Sequence, residues 1–249
     1  MIYNKLVKLS QKQANYFCLI DPDGMNPQKA ADFAKICQDN GADGILVGGS
    51  IMLENDFDIN LKAIKSAVTI PVLIFPGIFN FVSPHADALL LLSVISSRNP
   101  QMLIGEQVRA APLIKHYNLE SIGTGYMLID SGKSTSVNYM SNSLPIPHDK
   151  DDIALATALA GQYLGMKIIY MDAGSGAQKP ISDSMISKLK ENIDIPLIIG
   201  GGIKTPEIAK QKAEAGADFI VTGNILEKNS NPQLIRDFAD AIHSVKRTI

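Results

Sequence analysis

Two stretches of this sequence end an apolar run on a carboxylate. In "IIYMDAGSGA" (168–177), Ile168, Ile169 and Met171 lead to Asp172, with Gly174, Ser175 and Gly176 behind it. In "LIDPDG" (19–24) the run ends on Asp21, with Asp23 two residues on. A carboxylate at the end of a buried strand can orient a hydroxyl and take its proton. It can also supply oxygen to a hard cation, and Mg²⁺ takes few protein carboxylates while borrowing substrate phosphates. Asp21, with Ser50 from "VGGS" (47–50) and a diphosphate, would suit such an ion. Both stretches also read as plain turns, because Asp, Pro and Gly are turn formers and an Asp can cap its own turn.

Glycine loops supply a second kind of chemistry. "IIGGGIKTPE" (198–207) sets three glycines between an apolar run and a helix start, and "VTGNI" (221–225) follows the next run. Such loops present backbone N–H groups to phosphate oxygens with no Cβ in the way. "DAGSGA" adds a third loop of this kind. The expected ligand is a phosphorylated small molecule; the same glycines also serve as tight turns. No Ser/His/Asp arrangement and no Cys/His metal spacing occurs. Of the four histidines, only His85 and His148 fall where a rim loop is expected.

These residues need a scaffold that brings strand ends together. Strands are predicted at 16–21, 44–48, 71–75, 87–92, 121–129, 167–171, 196–199 and 218–222, mostly as continuous apolar runs, as strands covered on both faces require. Helices begin at Asn26-Pro27 and Thr205-Pro206 and stop at Gly41 and Gly216. The alternation predicts an α/β fold, a closed (β/α)8 TIM barrel, as one domain over residues 1–249. Two internal echoes support it: "NGADGILVGGS" (40–50) with "AGADFIVTGNI" (215–225), and "IPVLIFPG" (70–77) with "IPLIIGGG" (195–202). Between the third and fourth strands, "PGIFNFVSPHA" (76–86) cannot hold an ordinary helix, so the third barrel helix is replaced by a loop. That gap is either a plain deletion or an apolar groove lined by Ile78, Phe79, Phe81 and Val82.

Composition narrows the partners. A net charge of −2 argues against a nucleic-acid footprint. Cys18 and Cys37 lie in apolar surroundings and read as reduced, buried thiols. No run is long enough for a signal peptide or a transmembrane helix, so the expected location is cytoplasmic.

Taken together, "LIDPD" (19–23), "GADGILVGGS" (41–50), "LIFPG" (73–77), "SPHADALLLLS" (83–93), "APLIKHYNLESIGTGYMLI" (111–129), "YLGMKIIYMDAGSGA" (163–177), "PLIIGGGIKTPE" (196–207) and "GADFIVTGNILE" (216–227) resemble the geranylgeranylglyceryl phosphate synthase family. The likeness runs over nearly the whole chain and is strongest to the longer, archaeal-type branch. It implies a prenyltransferase that joins a prenyl diphosphate to the 3-hydroxyl of sn-glycerol 1-phosphate, the first committed step toward ether lipids. It implies Mg²⁺ held by Asp21 and Ser50. It places the glycerol against Tyr170, Met171, Asp172, Ala173, Gly174, Ser175 and Gly176, with Tyr170 and Asp172 catalytic. Gly201, Gly202, Gly223 and Asn224 are implied as the phosphate site, and the gap as the prenyl groove. It further implies a homo-oligomer, dimer or hexamer, with transient membrane contact for the lipid product.

The chain departs from the family at two places. Asp172 stands where Glu is usual, one methylene shorter. Tyr139 in "STSVNYM" (134–140) stands where Trp is common at a subunit contact. The DDxxD pattern of chain-elongating prenyl synthases is absent, since "KDDIA" (150–154) lacks its last Asp, which argues for transfer to another acceptor. The competing readings are a phosphosugar isomerase or aldolase and a non-catalytic metabolite-binding barrel. Against the first, Lys167 precedes its strand and Lys204 follows the glycine loop, poor places for a Schiff-base lysine. Against the second, phosphate binding alone needs neither Asp21 nor Asp172.

Overall fold

Eight parallel strands close on themselves in sequence order. A computed structural model of the chain describes residues 1–49, 56–77, 81–228 and 231–247. The strands are β1 (Asn15–Ile20), β2 (Gly44–Val47), β3 (Val72–Ile74), β4 (Ala88–Val94), β5 (Glu120–Leu128), β6 (Ile168–Asp172), β7 (Leu197–Gly200) and β8 (Phe219–Thr222). β1 completes the ring, pairing Phe17 with Gly44 of β2 and with Val221 of β8. The helices are α1 (Ile2–Ser10), α2 (Pro27–Asp39), α3 (Phe57–Ala67), α4 (Glu106–Tyr117), α5 (Ser136–Ser141), α6 (Asp151–Tyr163), α7 (Asp183–Lys190), α8 (Pro206–Glu214), α9 (Asn224–Lys228) and α10 (Pro232–His243). A π-helical turn, Gln101–Gly105, runs into α4.

Strand alternation splits the apolar residues into two cores. One set, with Phe17, Leu46, Leu73, Leu90, Ile122, Ile168, Ile198 and Phe219, fills the barrel. The other, with Ile45, Val72, Ile169, Met171 and Ile199, packs outward against the helices. Buried Leu6 of α1 joins the inner set and closes the floor. The first N–H groups of α1, which have no partner within the helix, donate to the Glu120 carboxylate, Ile2 N at 2.6 Å and Tyr3 N at 2.9 Å.

The expected helix starts are present. Asn26 Oδ1 accepts from Lys29 N at 2.9 Å with Pro27 in the first helical position, and Thr205 Oγ1 accepts from Ile208 N at 3.3 Å with Pro206 likewise. Between β3 and β4 no helix occurs among the described residues. Phe81 and Val82 pack against the outer core there, Phe81 with its ring 4.9 Å from that of Phe57 on α3. Neither lines the strand-end cavity, whereas Pro76 and Gly77 of the same loop do; Ile78 and Phe79 lie outside the described residues.

Candidate active site

The C-terminal strand ends surround a cavity of about 400 Å³. It is lined by Tyr126, Tyr170 and Asp172, by the loops after β6, β7 and β8 and, next to β8 in the ring, by Asp21 after β1 with Gly48–Gly49 after β2. A mostly apolar arm is lined by Phe75, Leu92, Val94, Met102 and Val137, and also carries Glu106, Gln107 and Ser141.

Asp172 closes β6. Its Oδ2 accepts from the Tyr126 hydroxyl at 2.7 Å and its Oδ1 from Gly174 N at 2.7 Å. The β5–β6 register sets Tyr126 beside Tyr170 and Leu128 beside Asp172, so all three polar side chains rise from one corner of the barrel. Phe75 packs on Tyr170 with ring centroids 5.1 Å apart, and Tyr126 packs on Tyr170 at 5.6 Å. Burial raises the Asp172 pKa above the ordinary 3.8, opposed by the two hydrogen bonds. Burial first, and the Asp172 charge second, push both tyrosine hydroxyls well above their ordinary range. Tyr126 therefore stays protonated and donates, while Asp172 keeps lone pairs for a substrate hydroxyl. Gly201, after β7, brings its backbone so close that a Cβ would lie 2.6 Å from Asp172 Oδ1.

Asp21 follows β1. Its Oδ1 accepts from Asp23 N at 3.1 Å. Burial raises its pKa, with a smaller contribution from the negative charge of Asp23. Gly49, after β2, faces it edge-on: a Cβ there would lie 2.2 Å from Asp21 Oδ2. This leaves one carboxylate oxygen against bare backbone at the cavity wall. That arrangement fits a hard cation taking one protein carboxylate and drawing other oxygens from a ligand. Among the described residues no group of three or more His, Cys, Asp or Glu could hold an ion by itself. Ser50 lies outside the described residues.

The glycine loops stand beside Asp21, because β8 pairs with β1 and β7 with β8. Gly201 and Gly202 follow β7, Gly223 follows β8, and Asn224 opens the short α9. Asn224 Nδ2 donates to Ser175 Oγ at 2.6 Å, joining the β6 and β8 loops across the rim. Lys204 lines the same wall. Glycine loops after the last two strands, with a short extra helix, are a recurrent phosphate site in this architecture.

Ten of the sequence-predicted residues thus line one cavity: Asp21, Tyr170, Asp172, Gly174, Ser175, Gly176, Gly201, Gly202, Gly223 and Asn224. Met171 and Ala173 do not. Strand alternation turns both into the outer core, where each is about fully buried, so their side chains cannot face a ligand in the cavity. Neither His85 nor His148 lines the cavity; His148 Nε2 is 3.0 Å from Pro180 O. Tyr126 was missed. In "GTGYMLI" it reads as one more core residue, and its position 46 residues before Asp172 carries no local signal.

Residues 8–243 match the PcrB family. The geranylgeranylglyceryl phosphate synthase of Chitinophaga pinensis is 50% identical over 98% of this chain and 96% of its own length. That of Methanosphaera stadtmanae is 42% identical over 97% of this chain and 99% of its own. The crystal structure of (S)-3-O-geranylgeranylglyceryl phosphate synthase from Thermoplasma acidophilum, in complex with its substrate sn-glycerol-1-phosphate, matches with a TM-score of 0.94 at 35% identity, covering 98% of this chain and 99% of that one. With its barrel, its cavity and these relatives, the chain belongs to the PcrB family, that of the geranylgeranylglyceryl phosphate synthases.

Proposed function

We propose that this protein is a prenyltransferase that joins geranylgeranyl diphosphate to the 3-hydroxyl of sn-glycerol 1-phosphate, releasing diphosphate. The observation that carries the reading is one cavity that combines glycine loops for a phosphate, a buried carboxylate with its tyrosine donor, the Asp21 carboxylate and a mostly apolar arm.

The phosphate of the glycerol sits among Gly201, Gly202, Gly223 and Asn224, with Ser175 and Gly176 closing from the β6 loop. That end fixes the 3-hydroxyl near Asp172. Asp172 takes the hydroxyl proton as the oxygen forms its bond to C1 of the prenyl chain. The bond from C1 to the diphosphate oxygen breaks, and the diphosphate leaves with the electron pair. Tyr126 holds Asp172 in orientation through Oδ2, and Tyr170 walls the glycerol. Asp21, with Ser50, would hold Mg²⁺, which neutralises the leaving diphosphate as a Lewis acid. The prenyl chain follows the apolar arm along Phe75, Leu92 and Met102.

Two further readings concern the protein's surroundings. Among the described residues no helix is long and apolar enough to cross a membrane, which supports a cytoplasmic enzyme that meets the bilayer only to deliver its product. Most of the large apolar side chains that are exposed fall between residues 104 and 164, among them Ile104, Val108, Tyr139 and Leu144. Exposed apolar side chains of this number among the described residues support a homo-oligomer, dimer or hexamer.

The test is incubation with Mg²⁺, radiolabelled sn-glycerol 1-phosphate and a series of prenyl diphosphates, followed by butanol extraction. Label should move into the organic phase, most strongly with the geranylgeranyl donor. The sn-3-phosphate enantiomer should be a poor substrate, because a fixed phosphate and a fixed base admit one hand. Equal rates with both enantiomers would contradict the site as drawn.

A further inference from the structure

The buried stripe of α3 holds one residue of the wrong type. Phe57, Leu61 and Ile64 face the core, and between them Asn60 is fully buried. An amide in an apolar stripe is unfavourable unless its hydrogen bonds are made. Asn60 Nδ2 donates to Pro22 O at 3.2 Å and to Met25 O at 3.0 Å, both in the loop between β1 and α2. Its Oδ1 has no partner among the described residues, a cost accepted at a buried site. The donor side is what the position is built around.

The loop it grips carries Asp21. Pro22 O also accepts from Met25 N at 3.1 Å, closing a turn with Gly24 at φ +70°. Inside that turn Asp23 N donates to Asp21 Oδ1 at 3.1 Å. The connection therefore runs from the α3 amide to two carbonyls, through one turn, to the N–H that orients the carboxylate. It also ties the loop after β1 to the helix after β2, the two elements that flank Asp21 and Gly49. We infer that Asn60 is a positioning residue for Asp21, setting the carboxylate's aim at the cavity from a point remote from any substrate. This rests on the reading of Asp21 as the anchor of the cation and its diphosphate.

The test compares the wild type with Asn60→Leu and Asp21→Asn by calorimetric binding of magnesium diphosphate and, separately, of glycerol 1-phosphate. Loss of the two hydrogen bonds should weaken magnesium diphosphate about tenfold while glycerol 1-phosphate binding stays unchanged. In turnover the same variant should raise KM for the prenyl diphosphate and leave KM for glycerol 1-phosphate alone. Should Asn60→Leu not fold, Asn60→Ser, which keeps a donor on a shorter arm, is put through the same comparison. Parallel loss of both ligands, or loss of neither, would reduce Asn60 to a packing residue. If Asp21→Asn itself leaves magnesium diphosphate binding intact, the reading of Asp21 fails instead; if Asp21→Asn loses it and Asn60→Leu keeps it, only the positioning role fails.

Discussion

At the N-terminal end of the barrel, Asp43, Asp87 and Asp218 each stand one residue before a strand and each follow an alanine. Each accepts a backbone N–H from the start of the neighbouring strand: Tyr16 at 2.8 Å, Val72 at 2.8 Å and Leu197 at 2.8 Å. Each also has a basic partner, His243, Lys65 and Lys190 respectively, all at 2.7 Å. At the C-terminal end, Asp21 and Asp172 stand just after or at the end of their strands, and no salt bridge to either occurs among the described residues. Their partners are backbone N–H groups and one tyrosine. The lower aspartates are staples: lysines match the charge of Asp87 and Asp218, and Asp43 is hydrogen-bonded to the His243 ring. The upper ones keep a charge that only a ligand can match, and burial raises the pKa of both. One fold thus uses the same side chain for opposite purposes, and the presence of a basic partner tells the two apart.

The sharpest way to break this contrast is at Asp172. Asp172→Ala should lower kcat by about 10²–10⁴-fold, the usual worth of a positioned base. Its stability should fall by only about 1–3 kcal/mol, the cost of leaving the buried Tyr126 hydroxyl unpaired. Asp172→Glu, the family's usual choice, should keep appreciable activity. An Ala variant that turns over normally but melts early would move Asp172 into the lower class. Asp21→Asn comes next: it keeps the shape and removes the charge, and turnover should fall by about 10²-fold or more with the melting curve intact. Full activity in this variant would remove Asp21 from the chemistry.

At the other end the outcome should invert. Asp218→Asn removes a carboxylate that is only 2% exposed, while the Lys190 side chain it leaves is 33% exposed and can turn to solvent. Losing the charge-assisted hydrogen bonds should cost about 1.5–3 kcal/mol in denaturant unfolding, with kcat/KM for both substrates unchanged. A variant as stable as the wild type but inactive would reverse the assignment of the two ends. The smallest effect is in pH. Because the folded pKa of Asp172 is raised, the folded state binds the proton more tightly than the unfolded state between 3.8 and that raised value. Stability from this residue is therefore lost as pH rises through the window. The stability of Asp172→Asn relative to wild type should grow across it and then level off, and the acid limb of kcat/KM should lie above 3.8. A gap that shrinks with rising pH would mean that burial does not dominate at Asp172.

Much of the lower end was legible as repetition, since "GAD" before β2 and β8 appears as an echo in the sequence, though its role as a staple did not. All eight strands and two of the three Pro-started helices could be read, because continuous apolar runs and helix starts are local signals. The glycine loops could be read as loops for the same reason. Tyr126 could not, because its meaning depends on β5 closing against β6. Met171 was readable in principle: period-two alternation turns it away from Tyr170 and Asp172, but the family resemblance was applied to the run as a block. The absence of a helix between β3 and β4 could be read from Pro76, Gly77 and Pro84, but the packing of Phe81 on Phe57 could not, because it depends on where α3 lies.

Each of the two upper carboxylates is backed by a glycine from the adjoining strand, Gly49 behind Asp21 and Gly201 behind Asp172, with room for a hydrogen and nothing larger. In evolutionary terms this acts as a ratchet. Even alanine at either glycine would meet the carboxylate, so a substitution there should displace the carboxylate it touches. A change of substrate preference should therefore begin elsewhere, in the β6 and β8 loops or the apolar arm.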